Sequence, residues 1–248
     1  MNIIFDVIGY QQATDNMKLT QSISTIRRFI LRTLFALFVF QLAYLFLVKW
    51  VNPPVTVTQL VSLFEGHGMK RDYVAYSQIS RHAKLAVIAS EDQLFPDHSG
   101  FDFTSIEKAM KYNEKHPNRV RGASTISQQV AKNVFLWQGR TWFRKGMEVY
   151  FTFMIECLYS KQRILDLYLN VAEMGDGVFG IESAAQTYFG KPAAKLSRTE
   201  AAMIAASLPN PKVYKVKPLS RWVAKRYPWI VKQMYQLEGD PDIEQILK

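Results

Sequence analysis

Glu91-Asp92-Gln93-Leu94-Phe95-Pro96-Asp97-His98-Ser99-Gly100-Phe101-Asp102 decides how this chain is read. Four acids, a histidine and a glycine fall in one short stretch. It follows the apolar helical run of residues 83–89 and precedes a helix opening near Asp102. Acids placed where a buried helix gives way to a loop can face a cleft, and a carboxylate there can take a proton from a hydroxyl. Taken alone, the stretch fits a solvated acidic loop with a helix cap better than a catalytic one. The segments downstream shift that balance.

Arg121-Gly122-Ala123-Ser124-Thr125-Ile126-Ser127-Gln128-Gln129-Val130-Ala131-Lys132-Asn133 has the form of a turn feeding a capped helix. Gly122 permits the turn, and Thr125-x-x-Gln128 is a capping box. Gln128 and Gln129 precede Lys132 by four and three residues, so both can flank the lysine on one helix face. A helix start beside a lysine suits a phosphate. In Arg140-Thr141-Trp142-Phe143-Arg144-Lys145-Gly146-Met147-Glu148, the spacing of Arg144 and Lys145 from Glu148 is that of a surface ion-pair ladder. Tyr168-Leu169-Asn170 leads into Gly175, Gly177, Gly180 and Gly190, a density that indicates a tight, shaped loop.

Periodicity and caps predict helices over residues 78–89, 104–113, 125–133, 141–159, 161–173, 181–189 and 197–207. The last opens with Ser197-x-x-Glu200 and closes before Pro209. Thr104-x-x-Glu107 reads as a further capping box, in preference to Ser105-Ile106-Glu107-Lys108 as a penicillin-binding S-x-x-K, since no S-D-N or K-T-G accompanies it. Residues 54–59 are the best strand candidate. Residues 141–159, apolar on nearly all sides beyond Glu148, read as a central core helix. The single cysteine, Cys157, excludes an intrachain disulfide and reads as a small buried hydrophobe within that helix. The pattern is that of a mainly α domain.

Taken together and in order, these segments resemble the peptidoglycan glycosyltransferases, the polymerising modules of bifunctional penicillin-binding proteins and their stand-alone relatives. The chain is most similar to the monofunctional type. The family pattern E-D-x-x-F-x-x-H-x-G-x-D is met at every specified position from Glu91 to Asp102. The patterns G-x-S-T-I-x-Q-Q-x-x-K-N, R-K-x-x-E and Y-L-N…G…G-I…A-A-x-Y-F-G follow. Leu196-Ser197-Arg198-Thr199-Glu200-Ala201-Ala202, leading to Leu208-Pro209-Asn210-Pro211, completes the set. The resemblance implies a lysozyme-like helical lobe, a smaller membrane-facing jaw lobe and a cleft between them. The implied substrate is lipid II, an undecaprenyl-pyrophosphate disaccharide-pentapeptide, with the nascent glycan strand as donor and a new lipid II as acceptor. Inverting transfer would build a linear β-1,4 strand and release undecaprenyl pyrophosphate.

By motif position, Glu91 is the expected general base. Glu148 is expected beside the departing pyrophosphate as an acid, a ligand of a divalent cation (magnesium or manganese), or an organiser of basic side chains. Lys132, Arg140 and Lys145 are expected to neutralise the phosphates, with Arg144 serving helix pairing only. Ser124, Gln128 and Gln129 would hydrogen-bond sugar or phosphate. Asp92 would orient Glu91, Lys132 or a divalent ion, and His98 would be a structural hydrogen-bonder. No organic cofactor is implied. A lysozyme-like hydrolase or lytic transglycosylase would share the helical fold and an essential glutamate, but has no need of Lys132, Arg140 and Lys145. A catalytically dead anchored scaffold is the third reading, against which the intact Glu91 and Glu148 count.

Residues 33–48 are apolar apart from Thr33 and Gln41. Extended to 29–51, the run is long enough to cross a hydrocarbon core of about 30 Å. Lys18, Arg27, Arg28 and Arg32 precede it, whereas only Lys49 follows closely. The positive-inside rule therefore predicts a cytoplasmic segment 1–28, a single-pass anchor 29–51 in the inner membrane, and a periplasmic domain 52–248. Val51-Asn52-Pro53-Pro54 offers no small-residue cleavage site. A buried core helix is the alternative. The net charge of +10 would generically suggest nucleic acid. A basic domain outside the cytoplasm is better matched to anionic phospholipid and pyrophosphate-bearing lipid. Trp137, Trp142 and Phe143 alternate with Arg140, Arg144 and Lys145, which suits a membrane interface as well as it suits a core. Proteins of cell-wall synthesis or division are further candidate partners.

Overall fold

Side-chain oxygens decide where the helices begin. The protein was analysed as a computed structural model that describes residues 2–117, 121–139 and 141–248, the first twenty of these (2–21) by backbone alone. Thr125 accepts from the Gln128 amide and Gln128 returns a bond to the Thr125 N–H, opening α5 (Ile126–Phe135) as the capping box predicts. Ser197 and Glu200 do the same for α9 (Arg198–Ser207). At α4 (Phe103–Lys115) the expected Thr104-x-x-Glu107 box is not the cap. Asp102 is, its carboxylate accepting from the Ser105 amide at 2.8 Å. An aspartate one residue before the helix reaches the free N–H groups with less loss of side-chain freedom than a longer residue would.

Residues 54–59 form no strand. Thr56 and Gln59 make a capping box that opens α2 (Val57–Phe64). The alternating Val-Thr pattern was compatible with both structures, and the cap decides between them. This helix is sorted inversely: polar Gln59 and Ser62 are buried, while Leu60, Leu63 and Phe64 face outward, Phe64 with 85% of its surface exposed. Gln59 donates to the Tyr73 hydroxyl and the Ser62 hydroxyl donates to the Gly68 carbonyl, so the buried polar groups are satisfied.

The core is built on α3 (Arg81–Glu91), whose residues 83–89 are all buried. Alanines at Ala201, Ala202 and Ala205 let α9 approach it closely, and α10 (Arg221–Leu237) packs against both. On the other side α5 packs between α6 (Trp142–Leu158) and α7 (Lys161–Val171), the latter buried along most of its length. The expected helix 161–173 ends at Val171, because Glu173 enters a small sheet. That sheet has the order β1 (Lys70–Arg71), β3 (Val178–Phe179), β2 (Glu173–Gly175), with β1 parallel and β2 antiparallel to β3. Lys70 pairs with Val178 and Glu173 with Phe179. Gly177 turns the hairpin at φ +67°, and a Cβ there would overlap the His67 carbonyl. α8 (Ile181–Phe189) and α11 (Pro241–Leu247) complete the unit. α11 is tied down by Lys84 of α3, which donates to the Leu247 carbonyl at 3.2 Å, and by the Tyr76 hydroxyl, which donates to the Ile246 carbonyl at 2.7 Å.

Two expectations for residues 141–159 are corrected. α6 is not a central core helix: Trp142, Phe143, Val149 and Phe153 are exposed, Trp142 by 92%. Cys157 lies exposed too. An all-round apolar helix need not be buried in protein; it can present one face outward. Contacts group Val51–Lys248 as one unit and do not divide it into lobe and jaw. The other unit is Met1–Trp50, built on the single helix α1 (Asn2–Val48). Within its segment Ser22–Val48 an 18-residue window has a mean hydropathy of 2.0, and only 6% of that window is buried, unlike the core helix of a soluble domain. It is long and apolar enough to anchor the chain in a membrane.

Candidate active site

The last residue of α3 is Glu91, and the chain turns sharply at Asp92, where φ is −163° and ψ is 80°. Asp92 is buried and makes three bonds. Both its oxygens receive the Nε2–H of His98, at 2.9 and 3.1 Å, and Oδ2 also accepts the Ile126 amide at 3.0 Å. The Gly100 N–H donates to His98 Nδ1, which places the ring hydrogen on Nε2. Asp92 therefore ties the end of α3 to the start of α5 and leaves neither Glu91 nor Lys132 directly bonded to it. Gly100 makes this loop possible. It adopts φ +89°, and a Cβ there would lie 2.7 Å from Thr152 Cγ2.

With the two helices joined, Gln129 of α5 reaches Glu91. Its Nε2 donates to Glu91 Oε2 at 2.9 Å, and the Ser90 hydroxyl donates to Oε1 at 3.2 Å. Tyr168 of α7 donates to Gln129 Oε1 at 3.2 Å, which orients the amide with its NH₂ toward the carboxylate. Burial pushes the Glu91 carboxyl above its ordinary range, opposed by these two bonds and by the charge of Arg226 on α10. A carboxylate tuned upward is a better base near neutral pH than an ordinary one.

Glu91, Asp92, Ser124, Gln129 and Lys132 share one cavity of about 850 Å³. A second hollow of about 370 Å³ adjoins it, and Gln129, Lys132, Leu208 and Pro209 border both. Lys132 is thus central to the cleft. Burial lowers its pKa, Glu148 and Glu91 raise it, and Arg144 and Lys145 lower it. Among the described residues, no carboxylate is within ion-pair distance of its ammonium. A cation so placed, partly desolvated and without a fixed partner, attracts an anionic group.

Glu148 of α6 is 3% exposed and does not border the cavity. Its Oε2 accepts Arg144 Nη1 at 2.6 Å and its Oε1 accepts Lys145 Nζ at 2.6 Å. The i,i+3 and i,i+4 spacing is the one read from sequence, but the pair is buried. Arg144 is the more buried of the two cations, with an 11% exposed side chain against 43% for Lys145. The helix pairing expected of it is present, but it is buried and not at the surface. Gln128 faces away from the cavity into the capping box of α5. Arg140 lies outside the described residues. Tyr168, Ser90 and Arg226 were not singled out from sequence. Tyr168 lay in plain view in the Tyr168-Leu169-Asn170 motif, whereas nothing local marks Arg226.

The donor set does not fit a resident divalent cation. Both Glu148 oxygens are engaged by cations, Asp92 is engaged by His98 and the Ile126 amide, and no group of three His, Cys, Asp or Glu side chains converges among the described residues. Positive charge beside the cleft is supplied by lysine and arginine instead.

A helical domain that brings a carboxylate and a lysine, unpaired among the described residues, into one polar cleft holds the groups that acid–base chemistry on an anionic substrate needs. The sequence profile of the Transglycosylase family matches residues 57–235, and the chain belongs to that family. A biosynthetic peptidoglycan transglycosylase of Shigella boydii serotype 4 (strain Sb227) is 54% identical over 230 residues, which cover 90% of this chain and 95% of the relative. The protein of the same description from Escherichia coli (strain K12 / DH10B) gives the same identity and coverage.

Proposed function

We propose that this protein polymerises lipid II into linear β-1,4 peptidoglycan strands in bacterial cell-wall synthesis. The observation that carries this reading is that Glu91, held by the Gln129 amide, and the cation of Lys132 border one cavity, a base and a phosphate-seeking group in reach of the same substrate. The acceptor 4-hydroxyl attacks the anomeric carbon of the donor. Glu91 takes the hydroxyl proton as the new C–O bond forms. The anomeric C–O bond to pyrophosphate breaks with inversion, and its electron pair leaves on the pyrophosphate oxygen. Lys132, with Arg140 and Lys145, meets the charge that develops there. Glu148 acts as the organiser of that cluster, since it holds Arg144 and Lys145 in place. Ser124 is exposed at the cavity rim, free to bond sugar or phosphate.

The anchor places this chemistry at a membrane. The charge bias of Arg27, Arg28 and Arg32 supports an inner-membrane orientation with the N-terminus in the cytoplasm and the domain in the periplasm. The outward apolar faces of α2 and α6 support a second contact with phospholipid. Proteins of cell-wall synthesis or division would share that location.

Purified full-length protein given lipid II tests the reading. The parent should form glycan strands, and Glu91→Gln should do so about 10²–10⁴-fold more slowly, the usual size of a general-base effect. Near-normal synthesis by Glu91→Gln, or cleavage of finished murein by the parent in place of strand growth, would overturn it.

A further inference from the structure

The wall of the cleft continues past the reaction centre. Leu208 and Pro209 border both hollows described above, and Pro211 and Lys212 line the smaller one. Pro211 then borders a third hollow of about 280 Å³, together with Lys215 and Lys217. Its opposite side is Lys70 of β1 and the Asp176–Gly177 turn between β2 and β3. The frame is firm: the Lys70 N–H donates to the Gly177 carbonyl at 2.8 Å, and the Tyr188 hydroxyl donates to the Met174 carbonyl at 3.0 Å. Three lysines thus meet at this hollow. Its one acid, Asp176, is engaged by His67 at 2.8 Å. The far end of the cleft has no such cluster: it is bordered by Asp92 and Asp102, with no lysine or arginine besides Lys132 among the described residues.

We propose that the Lys70–Lys215–Lys217 hollow is a product-strand subsite that takes the carboxylates of the peptides carried by the growing glycan. The inference rests on the polymerase reading. A strand lengthened by repeated transfer must leave the reaction centre in one direction, and every disaccharide added carries a peptide ending in a carboxylate. Of the two ends of the cleft, only the lysine end attracts such a chain. Exposed lysines bind weakly one at a time. Their combined field, acting within a Debye length of about 8 Å at physiological salt, retains a polyanion that would otherwise diffuse away. The subsite therefore governs how long a strand stays on the enzyme, not how fast one bond forms.

The test compares full-length parent with Lys70→Ala/Lys215→Ala/Lys217→Ala, using lipid II and measuring both lipid II consumption and strand length. The three side chains are exposed, so the variant should melt with the parent. Initial lipid II consumption should fall less than about 2-fold, within what weak surface charges allow, while mean strand length falls several-fold. With a lipid II whose peptide carboxylates are amidated, parent and variant should make strands of equal, short length. Preformed soluble strands bearing native peptides should bind the parent more tightly than the variant, a readout independent of catalysis. Parental strand length in the variant, or equal binding of preformed strands, overturns the subsite. A shortening that persists with the amidated substrate also overturns it and assigns the lysines to phospholipid headgroups. If the parent makes no strands yet binds preformed ones better than the variant, the polymerase reading fails and the anionic subsite stands.

Discussion

Glu148→Gln separates a buried ion cluster from the exposed pair that sequence spacing suggests. The substitution keeps the shape of the side chain and removes its charge, leaving Arg144 buried opposite a neutral amide. Taking one partner from a buried pair costs about 3–5 kcal/mol, because the remaining charge is uncompensated. Lys145 is 43% exposed and can turn to water, so the cost falls on Arg144 and belongs at the low end, about 3 kcal/mol. For a domain of this size that is a melting-temperature loss of about 6–12 °C, whereas an exposed pair would cost no more than about 4 °C. Calorimetry in one detergent, with Arg144→Ala and the double variant, completes a cycle whose coupling should exceed 1 kcal/mol, the upper range for exposed pairs. The second consequence lies at Lys132. Glu148 favours the charged form of that lysine, and without it burial and the repulsion from Arg144 and Lys145 are opposed by Glu91 alone. Lys132 then releases its proton at lower pH. Binding of pyrophosphate-bearing lipid should therefore fail earlier in Glu148→Gln than in the parent as pH rises. A melting loss under 4 °C in Glu148→Gln with no coupling to Arg144, or identical pH dependence of binding, would refute the buried-cluster reasoning.

Lys132→Ala should weaken binding of pyrophosphate lipid by about 1.5–3 kcal/mol, the value of a charge-assisted bond, measurable by equilibrium titration with unreactive lipid. The rate of strand growth should climb with pH until Glu91 is ionised. Since burial holds its folded pKa above the unfolded one, its contribution to stability is complete below the unfolded value and is lost as pH rises through the folded value. Glu91→Gln should flatten both dependences, and an unchanged rate profile would remove Glu91 as the base. Gly100→Ala forces a positive φ on alanine and a clash with Thr152, at about 2–4 kcal/mol by urea unfolding. Deleting residues 1–50 should leave a folded domain that still binds anionic vesicles. A truncated protein indifferent to vesicles would argue against a membrane role for the outward faces of α2 and α6.

What could be read from sequence was whatever physical chemistry acts locally. The caps at Thr125 and Ser197 and the helices behind them need only neighbours three residues away. The strands were not legible, because two- and three-residue segments such as Lys70–Arg71 carry no alternation and exist only where a distant hairpin meets them. At 54–59 two local signals competed, and the Thr56–Gln59 cap outweighed alternation. Cys157 and α6 were misplaced because apolarity does not say whether the neighbour is protein or lipid. In the site, motif position indicated Glu91, Gln129 and Lys132, which do converge. That Gln128 would turn into a cap and Glu148 would be buried depends on packing. Arg226 reaches the Glu91 field from α10, far along the chain, and no local pattern announces it.

The inverse sorting of α2 bears on how stability should be understood here. A helix with Gln59 and Ser62 inside and Leu60, Leu63 and Phe64 outside is frustrated in water, since the usual driving force pulls its greasy side chains the wrong way. Immersed among acyl chains, the same helix becomes the correctly oriented half of a boundary. Under the proposed contact with phospholipid, the solvent on that face is a component of the fold, and no single unfolding free energy belongs to the polypeptide alone. Detergents of different chain length should give different melting curves for one unchanged sequence, and a ranking of variants obtained in micelles need not survive transfer to a bilayer.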